Sequence, residues 1–282
     1  MNISKPSIED IGKNYAGIFT SFCQSISAYG KQINALVEQE RAITNTREDY
    51  HLSVREARVD VEGKIKKVAN EMITRMVWLA QKMFAPEGGQ LKIEGREVAL
   101  ACGYDEHERD DKIKWSEFNA AKVWDHLVKE YGGEKGQEEG HRQTAAAIID
   151  AFYIRPGEPI KTVGGRMVLD ITVYIDTIHK KYSKTNQISY NCIERIAKAL
   201  MALRGFAVWA GLDDLAVTLS SVQNSIASHH NKDIVSRASY GGYGIKVITY
   251  LNKYEFQLDP QVAELLQVFL GTYAFNALKE AA

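Results

Sequence analysis

Gly164-Gly165-Arg166-Met167-Val168-Leu169-Asp170-Ile171-Thr172-Val173-Tyr174-Ile175 is the stretch that decides the class of fold. Met167, Leu169, Ile171, Val173 and Ile175 fall at every second position. Side chains of a strand point to alternate faces, so this spacing buries one face and leaves the other to solvent. Ile160 and Val163 precede the glycine pair, which predicts a β-hairpin turning at Gly164-Gly165. Downstream, Gly244 to Leu251 and Tyr254 to Leu258 read as a second strand pair around Asn252-Lys253. Together these predict a small antiparallel sheet.

Helical periodicity surrounds it. A strongly apolar helix is expected from Ile188 to Ala210, ending at Gly211, and another from Asp213 to about Ser228. Asp259-Pro260 opens a final helix, since proline suits a first turn. Its stripe is Val262, Leu265, Leu266, Phe269, Leu270, Tyr273 and Ala277. Upstream, one helix carries Trp115, Phe118, Ala121, Val123, Trp124, Leu127 and Val128 and stops at Gly132-Gly133; another runs from about Gln137 to Tyr153. Leu91 to Cys102 reads as a short strand pair turning at Glu94-Gly95.

The first 85 residues have a different texture. Ile11, Tyr15, Ile18, Phe22, Ile26, Tyr29, Ile33 and Leu36 recur at steps of three and four, as do Val54, Val61, Ile65, Val68, Met72, Leu79 and Met83. Thr46 and Asp49 resemble a capping box for the second run, which stops before Pro86-Glu87-Gly88-Gly89. The expectation is an antiparallel helical hairpin with a coiled-coil-like seam over residues 1–88, followed by a mixed α+β domain over 89–282. Two helices of that length present more apolar stripe than they can hide against each other. A homodimer or other homo-oligomer through the N-terminal helices follows.

Composition narrows the class. Charged residues make up 25% and hydrophobic residues 45%, ordinary globular usage. No apolar run approaches the roughly 18 residues of a membrane helix, and the N-terminus lacks the apolar core of a secretory signal. Cys23, Cys102 and Cys192 are odd in number and far apart, which fits a reducing, cytoplasmic setting better than a disulfide framework. There is no P-loop, dinucleotide fingerprint, HExxH site, nucleophile elbow or kinase signature. The acidic loop Asp105 to Asp111 surrounds His107, and Asp110-Asp111-Lys112 has the Asp-x-Lys spacing of many nucleases. Those enzymes need the triplet on a strand, whereas here it precedes a helix, where acidic residues are favoured by the helix dipole. His229-His230 sits at a helix end, and neighbours on a helix diverge. No metal, cofactor or catalytic set is expected.

The net charge of −1 hides an asymmetry: Tyr104–Glu139 holds 11 acidic against 6 basic residues, and Ala151–Leu258 holds 13 basic against 8 acidic. Two basic-aromatic tracts lie in the second segment. Ser236-Arg237-Ala238-Ser239-Tyr240-Gly241-Gly242-Tyr243-Gly244-Ile245-Lys246 combines glycines that admit close approach with cations for phosphates and tyrosines for bases. His179-Lys180-Lys181-Tyr182-Ser183-Lys184 is the other. The candidate nucleic-acid-binding residues are Lys180, Lys181, Tyr182, Lys184, Arg237, Tyr240, Tyr243 and Lys246. The same cations would also dock an acidic protein.

Trp124-x-x-Leu127, Gly164 to Leu169, Ile193-Glu194-Arg195, and the hairpin from Ile245-Lys246-Val247 to Phe256 with its following helix carry a resemblance. The chain resembles a domain-of-unknown-function family of phages and integrative elements whose members sometimes adjoin DNA methyltransferase modules. The resemblance implies a mobile-element context and transfers no catalytic residue. The expected function is a non-enzymatic nucleic-acid-associated or partner-binding accessory protein, in DNA metabolism or host-defence evasion. The alternatives are a nucleic-acid-processing enzyme with an unfamiliar site and an assembly protein oligomerising through its long helices. Converging carboxylates in a deep pocket would favour the enzyme.

Overall fold

A computed structural model of the chain describes residues 7–48, 51–104, 114–155, 159–175, 186–226 and 233–275. The fold is α+β: helices and one five-stranded antiparallel sheet. Two compact units form, Met1–Met83 with Ile93–Gly132, and Phe84–Lys92 with Gly133–Ala282. The division therefore falls elsewhere than the expected boundary at 88/89, because residues 93–132 belong with the long helices. Among the described residues no helix is long and apolar enough to cross a membrane.

In the first unit, α1 spans Ile8–Thr44 and α2 Val61–Phe84. The expected start of the second helix near Thr46–Asp49 is too early. Thr46 Oγ1 accepts from the Glu48 N–H and Asp49 lies outside the described residues, whereas Asp60 Oδ1 accepts from the Gly63 N–H at 2.9 Å and caps the helix there. Between the helices, the Glu40 carboxylate accepts the N–H groups of Ser53 and Val54, with the Ser53 bond foremost in holding its pKa down. Leu52 lies with Ile33 and Val37 in a small apolar cluster. α1 and α2 come close at Gly30 and Val61, where a side chain at residue 30 has no room, but they do not run along each other in the expected coiled-coil-like seam, because α1 packs chiefly on another helix.

Farther along, α1 packs chiefly against α4, Ala120–Tyr131. Phe19 meets Phe118 edge-on at 4.9 Å, and Trp124 Nε1 donates to the Ile8 carbonyl at 2.7 Å. The expected strand pair at Leu91–Cys102 is instead a helix, α3, Gly95–Ala101. Val98 and Cys102 are buried four residues apart, and Glu97, Ala99, Leu100 and Ala101 favour helix, so the short apolar run took the helical period.

In the second unit, α5 spans Glu134–Phe152, α6 Tyr190–Trp209, α7 Asp213–Ile226 and α8 Pro260–Leu270, which continues as one π-helical turn, Gly271–Phe275. The strands are β1 Thr162–Val163, β2 Arg166–Thr172, β3 Ser239–Gly242, β4 Ile245–Tyr250 and β5 Lys253–Leu258, ordered β1-β2-β5-β4-β3. The first hairpin turns at Gly164-Gly165 as expected. The alternation in β2 ends at Thr172, and Ile175 makes an isolated bridge to Ile188. The second turn is Leu251-Asn252, one residue earlier than expected, since Tyr250 pairs with Lys253.

Register sorts the sheet into two faces. Met167, Leu169 and Ile171 stand opposite Leu258, Phe256 and Tyr254, which stand opposite Ile245, Val247 and Thr249. This face joins α5 to α8 in the main core, where Phe256, Val247 and Ile171 are fully buried. The other face carries Arg166, Val168, Asp170 and Thr172, then Lys253, Glu255 and Gln257, then Lys246, Ile248 and Tyr250.

Candidate nucleic-acid interface

The Gly-rich tract forms the edge strand β3 and its turn. A Cβ at Gly241, where φ is 144°, would run into the Ile245 carbonyl, so glycine lets β3 and β4 close together there. The strand starts from a locked turn. Arg237 has a left-handed φ of 65°, and its N–H donates to the Thr249 carbonyl at 2.6 Å. The buried Thr249 hydroxyl donates to the Val235 carbonyl at 2.6 Å.

Register then separates the candidate residues. Lys246 pairs with Gly241 and Gln257, stands exposed on the outer face, and makes no ion pair among the described residues. Tyr240 pairs with Val247, so it points to the opposite face and packs half-buried against the core. There it faces Tyr254, whose phenol burial pushes up to about 12, with Tyr240 and Cys192 adding to the shift. Tyr243 sits on the turn, 49% exposed. Arg237 is exposed at the other end of β3, three residues along β4 from Lys246 by its bond to Thr249, or roughly 10 Å. Lys180, Lys181, Tyr182 and Lys184 lie outside the described residues, as do His107, Asp110, Asp111, His229 and His230.

A cleft of about 320 Å³ opens at this end of the sheet, lined by Arg166, Tyr240, Gly241, Gly242, Lys246 and Asp259 among others. Arg166 Nε lies 2.9 Å from Asp259 Oδ1. Asp259 occupies the N-cap position of α8 yet makes no side-chain cap bond, its carboxylate being turned to Arg166. Sequence reasoning missed Arg166 and Asp259. Each was visible as a turn or cap residue, but only the sheet register brings together two residues so distant in the chain.

Farther along β5 from the cleft, Lys253 Nζ sits 3.2 and 3.1 Å from the two Asp170 oxygens and 2.8 Å from Glu255 Oε2. Gln257 Nε2 donates to Glu255 Oε1 at 2.8 Å. The Lys253 bond holds the Glu255 carboxyl below its usual range, against its burial. Burial pulls the Lys253 ammonium down, but the bonds and charges of Glu255 and Asp170 together raise it. Two carboxylates do converge here, Glu255 buried and Asp170 partly exposed, and one ammonium serves both.

The first unit offers a second cationic surface that sequence reasoning also missed. A trough of about 750 Å³ along α2 is lined by Lys66, Lys67, Arg75, Asn70, Glu71 and Thr74. These positions repeat at steps of three and four, the signal that could have found them. Compared with known family models, curated proteins and solved structures, the chain matches none.

Proposed function

We propose that the protein is a non-enzymatic nucleic-acid-associated accessory protein that takes an anionic strand across the open end of its sheet, in a phage or mobile-element setting. The observation that carries the reading is the cleft, where exposed Lys246 stands without an ion pair among the described residues beside the backbone of Gly241 and Gly242. Glycine admits a phosphate close to the chain, Lys246 supplies charge, and Tyr243 is accessible for stacking on a base. Fluorescence anisotropy with single-stranded and duplex oligonucleotides over a salt series tests it. Affinity should fall with salt by a log–log slope of about −0.7 per phosphate contact on single strands. Lys246→Glu should weaken binding and reduce that slope by about one contact. No binding at low salt, with capture of an acidic protein instead, would move the function to a protein partner. Loss of binding in Lys67→Glu with Arg75→Glu, but not in Lys246→Glu, would move the site to the trough on α2.

A second reading has its own support: the chain is a homo-oligomer through its N-terminal helices. Ile18, Tyr29, Leu36 and Ile43 of α1 are 58%, 41%, 45% and 84% exposed, apolar surface that a partner helix would cover.

A further inference from the structure

We infer that the exposed face of α2 is a second nucleic-acid site, one that takes the phosphate backbone of a duplex. The inference rests on the nucleic-acid reading above and adds, within the first unit, a duplex contact to the single-strand contact of the sheet edge.

Helical spacing builds the face. At 3.6 residues per turn, Lys64, Lys67, Glu71, Arg75, Trp78 and Lys82 fall within an arc of about 80°. All of them are exposed, and the buried Ile65, Ala69, Met76 and Ala80 lie on the opposite side of the helix. From Lys64 to Lys82 the row rises about 27 Å. The trough of about 750 Å³ follows its first half, where Asn70 and Thr74 line it beside Lys67 and Arg75.

The charge of this row is not neutralised. Among the described residues Lys64, Lys67 and Arg75 make no ion pair. Glu71 makes none either, although it stands four residues from both Lys67 and Arg75. The arc therefore sets four cations against one carboxylate. Lys66 belongs to another side, its ammonium 5.8 Å from the centre of the Trp115 ring. A polyanion laid along the row would neutralise these cations and release its own counterions.

The composition of the row identifies the form of nucleic acid. A single strand is held through bases stacked on open aromatic rings. The one ring in this arc is Trp78, 46% exposed, and the Lys82 ammonium lies over it at 4.0 Å from its centre. The other groups are cations and small polar side chains, which suit phosphate. A duplex turns its bases inward and presents one charge per about 1.7 Å of axis, or about sixteen over the length of the row. That sustained density favours a duplex over an acidic protein.

The test is fluorescence anisotropy of the full chain with a labelled duplex and a labelled single strand over a salt series. The duplex should give a log–log slope of about −3 to −4, from about four phosphate contacts. Lys67→Glu with Arg75→Glu should weaken duplex binding more than about tenfold and reduce that slope by about two. Single-strand binding and the circular dichroism should stay unchanged in that variant. Lys246→Glu should do the reverse, weakening the single strand and sparing the duplex. Duplex binding that is absent, or that survives the Lys67 and Arg75 reversals, overturns this site and leaves the sheet edge standing. Single-strand binding that survives Lys246→Glu overturns the sheet edge and leaves this site standing. Binding of polyglutamate in place of the duplex, lost with the same two reversals, overturns the duplex and assigns the row to an acidic protein.

Discussion

Helices α1 and α6 are both apolar along much of their length and end in opposite situations. α6 buries ten of its twenty residues, among them Ile196, Leu200 and Phe206 without any exposure. α1 buries five of thirty-seven and leaves Ile18, Tyr29, Leu36 and Ile43 in solvent. α6 is enclosed by α5, α7 and the core face of the sheet. α1 has chiefly α4 on one side, with the 52–57 loop at its far end. α6 is the more apolar of the two in sequence and also has neighbouring elements that supply a second wall, so composition and surroundings together set how much is buried.

If that contrast is right, the largest effect of substitution belongs to the enclosed region. Phe256→Ala should destabilise the fold by about 3–5 kcal/mol in urea unfolding, because a fully buried ring leaves a cavity. Ile18→Ala, at 58% exposure, should cost under about 0.5 kcal/mol when the chain is kept dilute. Comparable losses would dissolve the contrast.

An intermediate effect is expected on the polar face of the same sheet. Lys253→Met leaves Asp170 and Glu255 without their shared ammonium and should cost about 1–2 kcal/mol, a buried pair's loss discounted for partial solvent screening. The folded Glu255 carboxyl is held down, so its stabilisation is present above the unfolded value of about 4.3 and is lost as pH falls through the lower folded one. Parent and variant should therefore differ near neutrality and converge in acid. A difference that persists in acid would mean that something other than the ion pairs with Asp170 and Glu255 stabilises the sheet at Lys253.

The smallest effect concerns His141 on α5, between Phe269 at 6.1 Å and Tyr273 at 5.1 Å, with Trp209 Nε1 donating to the Tyr273 hydroxyl. Burial holds the imidazole pKa down, so the unfolded chain takes the proton first. Stability should be complete above about pH 6.5 and decline as pH falls below it, levelling once the folded imidazole titrates. His141→Phe should flatten that decline, followed by Trp209 fluorescence during unfolding. An unchanged profile would assign the pH dependence elsewhere and leave the aromatic cluster purely a packing feature.

Much of this architecture was written in local pattern. The alternation from Met167 to Ile171, the Gly164-Gly165 turn, the Asp259-Pro260 start of α8 and the long α1 stripe each depend on residues within one or two turns of each other. Period and turn chemistry act at that range, so the sequence by itself determined them, together with the α+β class. Other features depended on which distant segments met. Leu91 to Cys102 was short enough to suit either period, and it became α3. Ser236 to Lys246 read as a basic-aromatic tract, but pairing with β4 made part of it an edge strand and set Tyr240 and Lys246 on opposite faces. Arg166 and Asp259 became neighbours only through the register of β2 on β5 and the position of α8 beyond it. Tertiary structure alone decided these, because side-chain direction and long-range proximity follow from how strands pair and helices pack, and no periodicity within a segment encodes its partner.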